Sequence, residues 1–249
     1  MVSGIPATGV LDLSNYRGIR ELVEGALRER IVGGEYLPGT PLLQRELADS
    51  FGVSREPIRQ ALLTLEAEGL VVSRPRRPSV VAPVTLKLVE DVYEIRAELD
   101  GLAAMRAATR ADVRPELAMR LREVVESAHK ETAPAQLLEL DHQFHREIYA
   151  ASGNAVALDF FDSRWVVIGR VMSVIAASAY LTTAWREHQE MVALIEQGNG
   201  SAVRDLATVH AVRAREWVVE HAQALAPHLG DTAFTSQGGD EPGEVPNYK

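Results

Sequence analysis

The strongest constraint in this sequence is a change of rhythm at Pro83. Before it, short helical patterns alternate with β-prone runs; after it, helical periodicity alone continues to about residue 225. In the first part, Ile19, Leu22, Val23, Ala26, Leu27 and Ile31 recur at helical spacing within 15–32, and Gly33 and Gly34 stop that helix. Pro38-Gly39 marks a turn. A short helix is expected over 43–50, ended by Gly52. Another is expected over 54–68, opened by Ser54 as N-cap and closed by Gly69. The β-prone runs 70–73 and 79–82 flank Arg74-Pro75-Arg76-Arg77-Pro78, a hairpin with a basic tip. In the second part, helices are expected over 86–109, 113–130, 134–152, 155–179, 183–197 and 201–225. The breaks fall at Pro115, Pro134, Gly153-Asn154 and Gly198-Asn199-Gly200.

Three helices followed by a hairpin is the order of a winged helix-turn-helix. Six helices with short connections and apolar stripes make a compact antiparallel bundle. The expected fold is therefore mainly α, with an N-terminal winged helix-turn-helix over 15–83 and a C-terminal all-α six-helix antiparallel bundle over 84–226. Residues 1–14, carrying Gly4, Pro6 and Gly9, are expected to form a flexible arm. Residues 227–249, polar and rich in Gly and Pro, are expected to be a disordered tail. At 249 residues, each of the two units can bury its own core.

A hydrophobic fraction of 46% with 24% charged residues is that of a globular protein. No run of eighteen apolar residues and no secretory leader pattern is present, so no membrane span is expected and the expected location is cytoplasmic. With no cysteine, disulfides and thiolate metal sites are excluded. The net charge of −9 is unevenly spread. Residues 1–83 hold ten Arg against ten Asp and Glu, 84–225 carry −6, and the last 24 residues carry −3. The acidity thus lies outside the first third, and DNA binding needs only a local basic face.

Such a face is visible in the third helix. At 100° per residue, Ile58, Ala61, Leu62 and Leu65 share one side and would pack on the first two helices. Arg55 and Arg59 lie together at the edge of the other side, near the helix N-terminus, the part of a recognition helix that meets base edges. The arginine fork can donate two bonds to guanine O6 and N7. Ser54 and the helix N-terminus suit a phosphate. Arg45 would reach from the preceding helix, and Arg74, Arg76 and Arg77 from the hairpin tip. By pattern alone, the same arginines also fit ordinary solvated helix positions.

The wording of the sequence carries more. Leu37-Pro38-Gly39, Gln44-Arg45-Glu46-Leu47-Ala48, Phe51-Gly52-Val53-Ser54-Arg55, Pro57-Ile58-Arg59-Gln60-Ala61-Leu62 and Leu65-Glu66-Ala67-Glu68-Gly69-Leu70-Val71 closely resemble the GntR family of bacterial regulators, without gaps over 19–83. The resemblance implies that Arg45, Arg55 and Arg59 contact DNA, with Ser54 on the backbone. One departure concerns the wing. The family usually has glycines at its tip, where this chain has Arg76 and Pro78. Arginine and proline are expected to forbid part of the backbone freedom that glycine supplies.

In the helical part, Asp141 and His145 lie four apart on one helix, and His188 and His210 fall in the last two helices. If these helices are neighbours, one carboxylate and three imidazoles can converge in the bundle, a known place for metal sites. Spacing alone equally fits hydrogen-bonded histidines and a surface Asp–His contact. His129, His142, His221 and His228 are scattered elsewhere, and His142, turned about 100° from Asp141, is assigned to the surface.

Residues 87–225 also resemble the FCD ligand-binding domain of the FadR-like branch of that family. The resemblance lies in Tyr93-Glu94-Ile95-Arg96, Leu99, Asp141 with Phe144-His145, Ala151-Ser152-Gly153-Asn154, Glu187-His188 and His210. It implies a divalent metal on Asp141, His145, His188 and His210. Zn²⁺ is the first expectation, with Ni²⁺, Co²⁺, Mn²⁺ or Fe²⁺ also suited to three nitrogens and one oxygen. It further implies a small organic acid beside the metal, with Arg96 pairing its carboxylate and Arg164 as a further effector-binding candidate. The alternative for Arg96 is a salt bridge to a neighbouring Glu.

The expected function is a homodimeric DNA-binding transcriptional repressor reading a pseudo-palindromic operator on double-stranded DNA, controlled by that effector, and not an enzyme. Two rivals are a regulator that senses the metal itself and a metalloenzyme fused to a DNA-binding head. The sequence holds no separate general base or nucleophile constellation to favour the last.

Overall fold

The computed structural model describes residues 18–175 and 180–221. The expected arm, the expected tail and the end of the helix expected over 155–179 lie outside the described residues. Helix α1 spans Ile19–Val32 and ends at Gly33, with Gly34 at φ +79°. Its buried stripe is Val23, Ala26, Leu27, Ile31 and Val32, while Ile19 stays largely exposed. Helix α2, Gln44–Phe51, closes on Gly52 in the left-handed region. Helix α3, Arg55–Ala67, buries Ile58, Ala61, Leu62 and Leu65, the four positions that its periodicity selects.

The sheet has three strands rather than two. Strand β1, Pro41–Leu42, precedes α2, and β2, Val71–Arg74, and β3, Arg77–Val81, form the wing in the order β1-β3-β2, all antiparallel. The strands run to the very tip, where Arg74 pairs with Arg77 around a two-residue turn of Pro75 and Arg76. Arg76 takes φ +59°, the described non-glycine residue with positive φ. Proline followed by positive φ is the pattern of a type II turn. The arginine therefore adopts the positive φ it was expected to forbid, at a cost of order 1–2 kcal/mol.

The second part is all helical. Helix α4 spans Leu86–Thr109, with the Thr85 hydroxyl accepting from the Leu88 amide. It is followed by α5, Arg114–Ala128, and α6, Pro134–Ala151, each with a proline in its first turn, where the missing amide costs nothing. Helices α7, Ala155–Ile175, α8, Tyr180–Glu196, and α9, Gly200–Glu220, complete the domain. The long α4 packs along the antiparallel α9 and also touches α6, α7 and α8, while α8 lies on α9 and α6 on α7. The α4–α9 approach is close because Gly101 faces Arg204 and Thr208, whose hydroxyl donates to the Ala97 carbonyl at 3.2 Å.

The two parts share one apolar core. It runs from Val23, Leu27 and Leu65 in the head into Ile168, Val171 and Met172 of α7 and Val218 of α9. Gly169 of α7 abuts Val32, and Arg170, buried, donates to the Ala82 carbonyl at 2.6 Å. Among the described residues, no helix is long and apolar enough to cross a membrane.

Two glycines give a matched test of this packing. At Gly101 an added Cβ would lie 2.4 Å from Thr208 Oγ1 and 3.1 Å from the Arg204 carbonyl, whereas at Gly25 in α1 it would meet nothing within 4 Å. Chemical denaturation should show Gly101→Ala destabilised by roughly 2 kcal/mol and Gly25→Ala stabilised by up to about 1 kcal/mol.

Candidate DNA-reading face and buried histidine cluster

The residues singled out for DNA all stand at the surface of the head. Arg45 on α2, Ser54 and Arg55 at the start of α3, and Arg74, Arg76 and Arg77 at the wing tip are exposed. None of these arginines has an ion-pair partner among the described residues, and the Ser54 hydroxyl makes no capping bond. Arg59 differs. Its Nε and Nη2 donate to Glu56 at 3.0 and 2.6 Å, and Gln60 donates to the same carboxylate. Hydrogen bonds from Arg59, then Gln60, lower the Glu56 pKa to about 2. Glu56, one turn before Arg59 and absent from the sequence reasoning, aims that guanidinium and competes with any base for it. Glu66 at the other end of α3 binds the Ser73 hydroxyl at 2.7 Å and ties the wing to the third helix.

Inside the bundle, Asp141 and His145 project from one face of α6, His188 from α8 and His210 from α9; all four are buried. His188 Nε2 lies 3.3 Å from His210 Nε2 and 3.8 Å from Asp141 Oδ1, and His145 Nε2 lies 3.9 Å from that oxygen. Ligand atoms of the three histidines fall within 4.8 Å of one another, a cluster that could hold a metal. Burial, then the charge of Arg96, keeps the His145 pKa well below its usual value. Burial, then His210 and Arg96, does the same for His188. Neutral imidazole is the form that binds metal. Burial also raises the Asp141 pKa to about 6 against the pull of Arg96, and neither carboxylate oxygen has a hydrogen-bond partner. Two orphaned carboxylate oxygens, set beside His145 and His188 of the three clustered imidazoles, form a donor set that fits a divalent cation.

A second layer surrounds the cluster. Arg96, fully buried on α4, donates from Nε to Asp100 at 3.0 Å and from Nη2 to His145 Nε2 at 3.0 Å. Asp100 in turn accepts from the Tyr149 hydroxyl at 2.6 Å. The acid beside Arg96 is thus Asp100 one turn along its own helix, not a Glu. The Tyr93 hydroxyl is buried near Asp141 without a partner, a feature the sequence reading missed. Glu187, on α8, accepts from His210 Nδ1 at 2.7 Å and contacts Arg213.

Two expectations are corrected by position. Arg164 is exposed on α7 and lines a crevice of about 460 Å³ with Arg28, Glu68 and Leu88, between the head and the bundle and away from the histidines. The buried arginine of that helix is Arg170, six residues further on. His142 is half-buried rather than a surface residue, because its ring stacks on Trp165 at 4.3 Å.

A winged head with a basic face, joined to a helical domain enclosing a polar cluster, has the arrangement of a DNA-binding regulator. The chain belongs to the GntR family of bacterial regulatory proteins and carries an FCD domain: the gntR-family model matches residues 19–81 and the FCD model residues 91–214. It is a transcriptional regulator and not an enzyme. It is 28% identical over 189 residues to the HTH-type regulator YdhC of Bacillus subtilis, covering 74% of this chain and 84% of the relative. It is 27% identical over 205 residues to the transcriptional repressor RspR of Escherichia coli, covering 80% and 89%. Among solved structures, McbR/YncC of E. coli superposes with a TM-score of 0.69 at 20% identity, covering 83% of this chain and 99% of that one. A regulator from a Rhodococcus species gives 0.67 at 21%, covering 81% and 97%. These two likenesses are of fold.

The buried Asp141 generates a stability prediction. Its folded pKa, near 6, lies above the unfolded value of 3.8. The folded state is therefore penalised as pH rises through that window, and the penalty is absent below it. In the presence of a chelator, Asp141→Asn should gain roughly 2 kcal/mol relative to the native chain between pH 4 and pH 7.5. Parallel denaturation curves at the two pH values check this.

Proposed function

We propose that this protein is a cytoplasmic, homodimeric repressor whose operator affinity is set by a small carboxylate bound beside a divalent metal. In this reading residues 15–83 form the DNA-binding unit and 84–226 the effector-binding unit. Asp141, His145, His188 and His210 hold the metal, Zn²⁺ first, with Ni²⁺, Co²⁺, Mn²⁺ or Fe²⁺ as alternatives. The metal supplies a Lewis-acidic position for a carboxylate oxygen, and Arg96 orients the rest of the acid. The single observation that carries the reading is the cluster of three buried imidazoles, two of which lie 3.8 and 3.9 Å from an orphaned buried carboxylate. Arg164 is given no part, since it opens on the head–bundle crevice.

Coupling to DNA would pass through α7, which touches both ends of the problem. Phe161 lies 6.3 Å from the His145 ring and 5.6 Å from Trp165, and Gly169 and Arg170 on the same helix meet Val32 and Ala82 of the head. A ligand that favours one setting of α7 would favour one setting of the head, by no more than its differential affinity for the two. Two chains related by a two-fold axis would read two half-sites of a pseudo-palindrome through Arg45, Ser54, Arg55 and Arg59, with Arg74, Arg76 and Arg77 on the flanking groove or phosphates.

A second reading makes the metal itself the signal. It is favoured by the state of Arg96, whose charge is already matched by Asp100. In a gel-shift titration on a selected operator, a small organic acid added to metal-loaded protein should change affinity about 5–150-fold. A response to metal alone, unaltered by any acid, supports the second reading instead. In the same assay, Arg55→Ala with Arg59→Ala should weaken specific binding by at least about 100-fold while leaving the circular dichroism spectrum unchanged.

A further inference from the structure

We propose that Glu187 is a positioning residue for the metal centre. On this assignment it fixes the tautomer and ring orientation of His210, and Arg213 holds it in place from the protein surface. The inference rests on the metal reading above and adds to it a residue outside the ligand set. A carboxylate only accepts hydrogen bonds, so the 2.7 Å contact between Glu187 Oε2 and His210 Nδ1 places the ring proton on Nδ1. Nε2 then keeps its lone pair, and Nε2 is the atom that faces His188 Nε2 at 3.3 Å. A histidine that binds metal through one nitrogen almost always donates the other to a carboxylate, a carbonyl or water, which orients the ring and raises its basicity.

The arrangement is local to the α8–α9 seam. Glu187 and His188 are consecutive on α8, about 100° apart, so one meets the neighbouring helix at the seam while the other enters the interior. Glu187 is only 6% exposed, and its second oxygen contacts Arg213, three residues after His210 on α9. The Arg213 side chain is 52% exposed. A surface cation thus holds a buried carboxylate, which holds a buried imidazole. Among the described residues neither other histidine has this support. His188 Nδ1 is buried with no hydrogen-bond partner, and His145 meets Arg96 through its Nε2. His210 is therefore the ligand whose orientation is set before any cation arrives.

The test is Co²⁺ affinity of the full chain, measured by chelator competition with the visible d–d absorption as a second readout. Glu187→Gln keeps an acceptor without the charge and should bind about 10-fold more weakly; Glu187→Leu should bind about 100-fold more weakly with an altered spectrum. Arg213→Ala breaks the ion pair across the seam but leaves the Glu187–His210 bond, and should change affinity by no more than a few fold. Thermal unfolding in chelator separates this from a structural role. A seam contact alone would lower the melting temperature of Glu187→Leu and Arg213→Ala alike and leave Co²⁺ affinity untouched. Unchanged affinity in Glu187→Leu overturns the assignment of Glu187 and leaves the metal site standing. Failure of the native chain to bind Co²⁺, Zn²⁺ or any other divalent ion removes the metal reading and this one with it.

Discussion

The interaction on which the rest of this structure depends is the burial of a carboxylate, Asp141, where neither oxygen finds a donor. An unpaired charge in a bundle interior is costly, and a fold keeps one only where something else completes the set. The surrounding layer has the same character. Arg96, Asp100 and Tyr149 satisfy one another around the cluster, Arg96 reaches His145, and burial holds His145 and His188 neutral. Groups that could have neutralised Asp141 are thus committed elsewhere. A bound cation would complete the set.

The helical framework follows from supplying those side chains from separate elements. Asp141 and His145 come from α6, His188 from α8, His210 from α9 and Arg96 from α4. These helices meet because α4 and α9 approach closely at Gly101, and α8 packs on both of them. Helix α7 stands between this cluster and the head, with Phe161 and Trp165 at one end and Gly169 and Arg170 at the other. The continuous apolar core leaves the head no independent seat, so its setting is tied to that of α7.

Much of this was legible in the residues. The buried face of α3 follows from periodicity, and the helix limits follow from Gly33, Gly52, Gly69, Pro115, Pro134 and Gly198. These signals are local, and local signals survive without a fold. The gaps have a common cause. Strand β1 is two residues long and exists only because β3, some forty residues on, pairs with it. The stacking of His142 on Trp165 and the departure of Arg164 from the cluster depend on how α7 rotates against α6. The contacts of Glu187 depend on the seam between α8 and α9, and those of Arg59 on Glu56, whose side chain competes for it at the surface. The convergence of the histidines was open on spacing and rested on resemblance; three-dimensional neighbourhood is what supplied it.

The central claim is that Asp141, His145, His188 and His210 form one metal centre. X-ray absorption spectroscopy at the metal edge of the protein, loaded with one equivalent of Zn²⁺, tests it most directly. The account predicts a shell containing three imidazole nitrogens at about 2.0–2.1 Å and at least one oxygen, with one nitrogen lost in His210→Ala. A shell of oxygens alone, or a spectrum unchanged by His210→Ala, would contradict it.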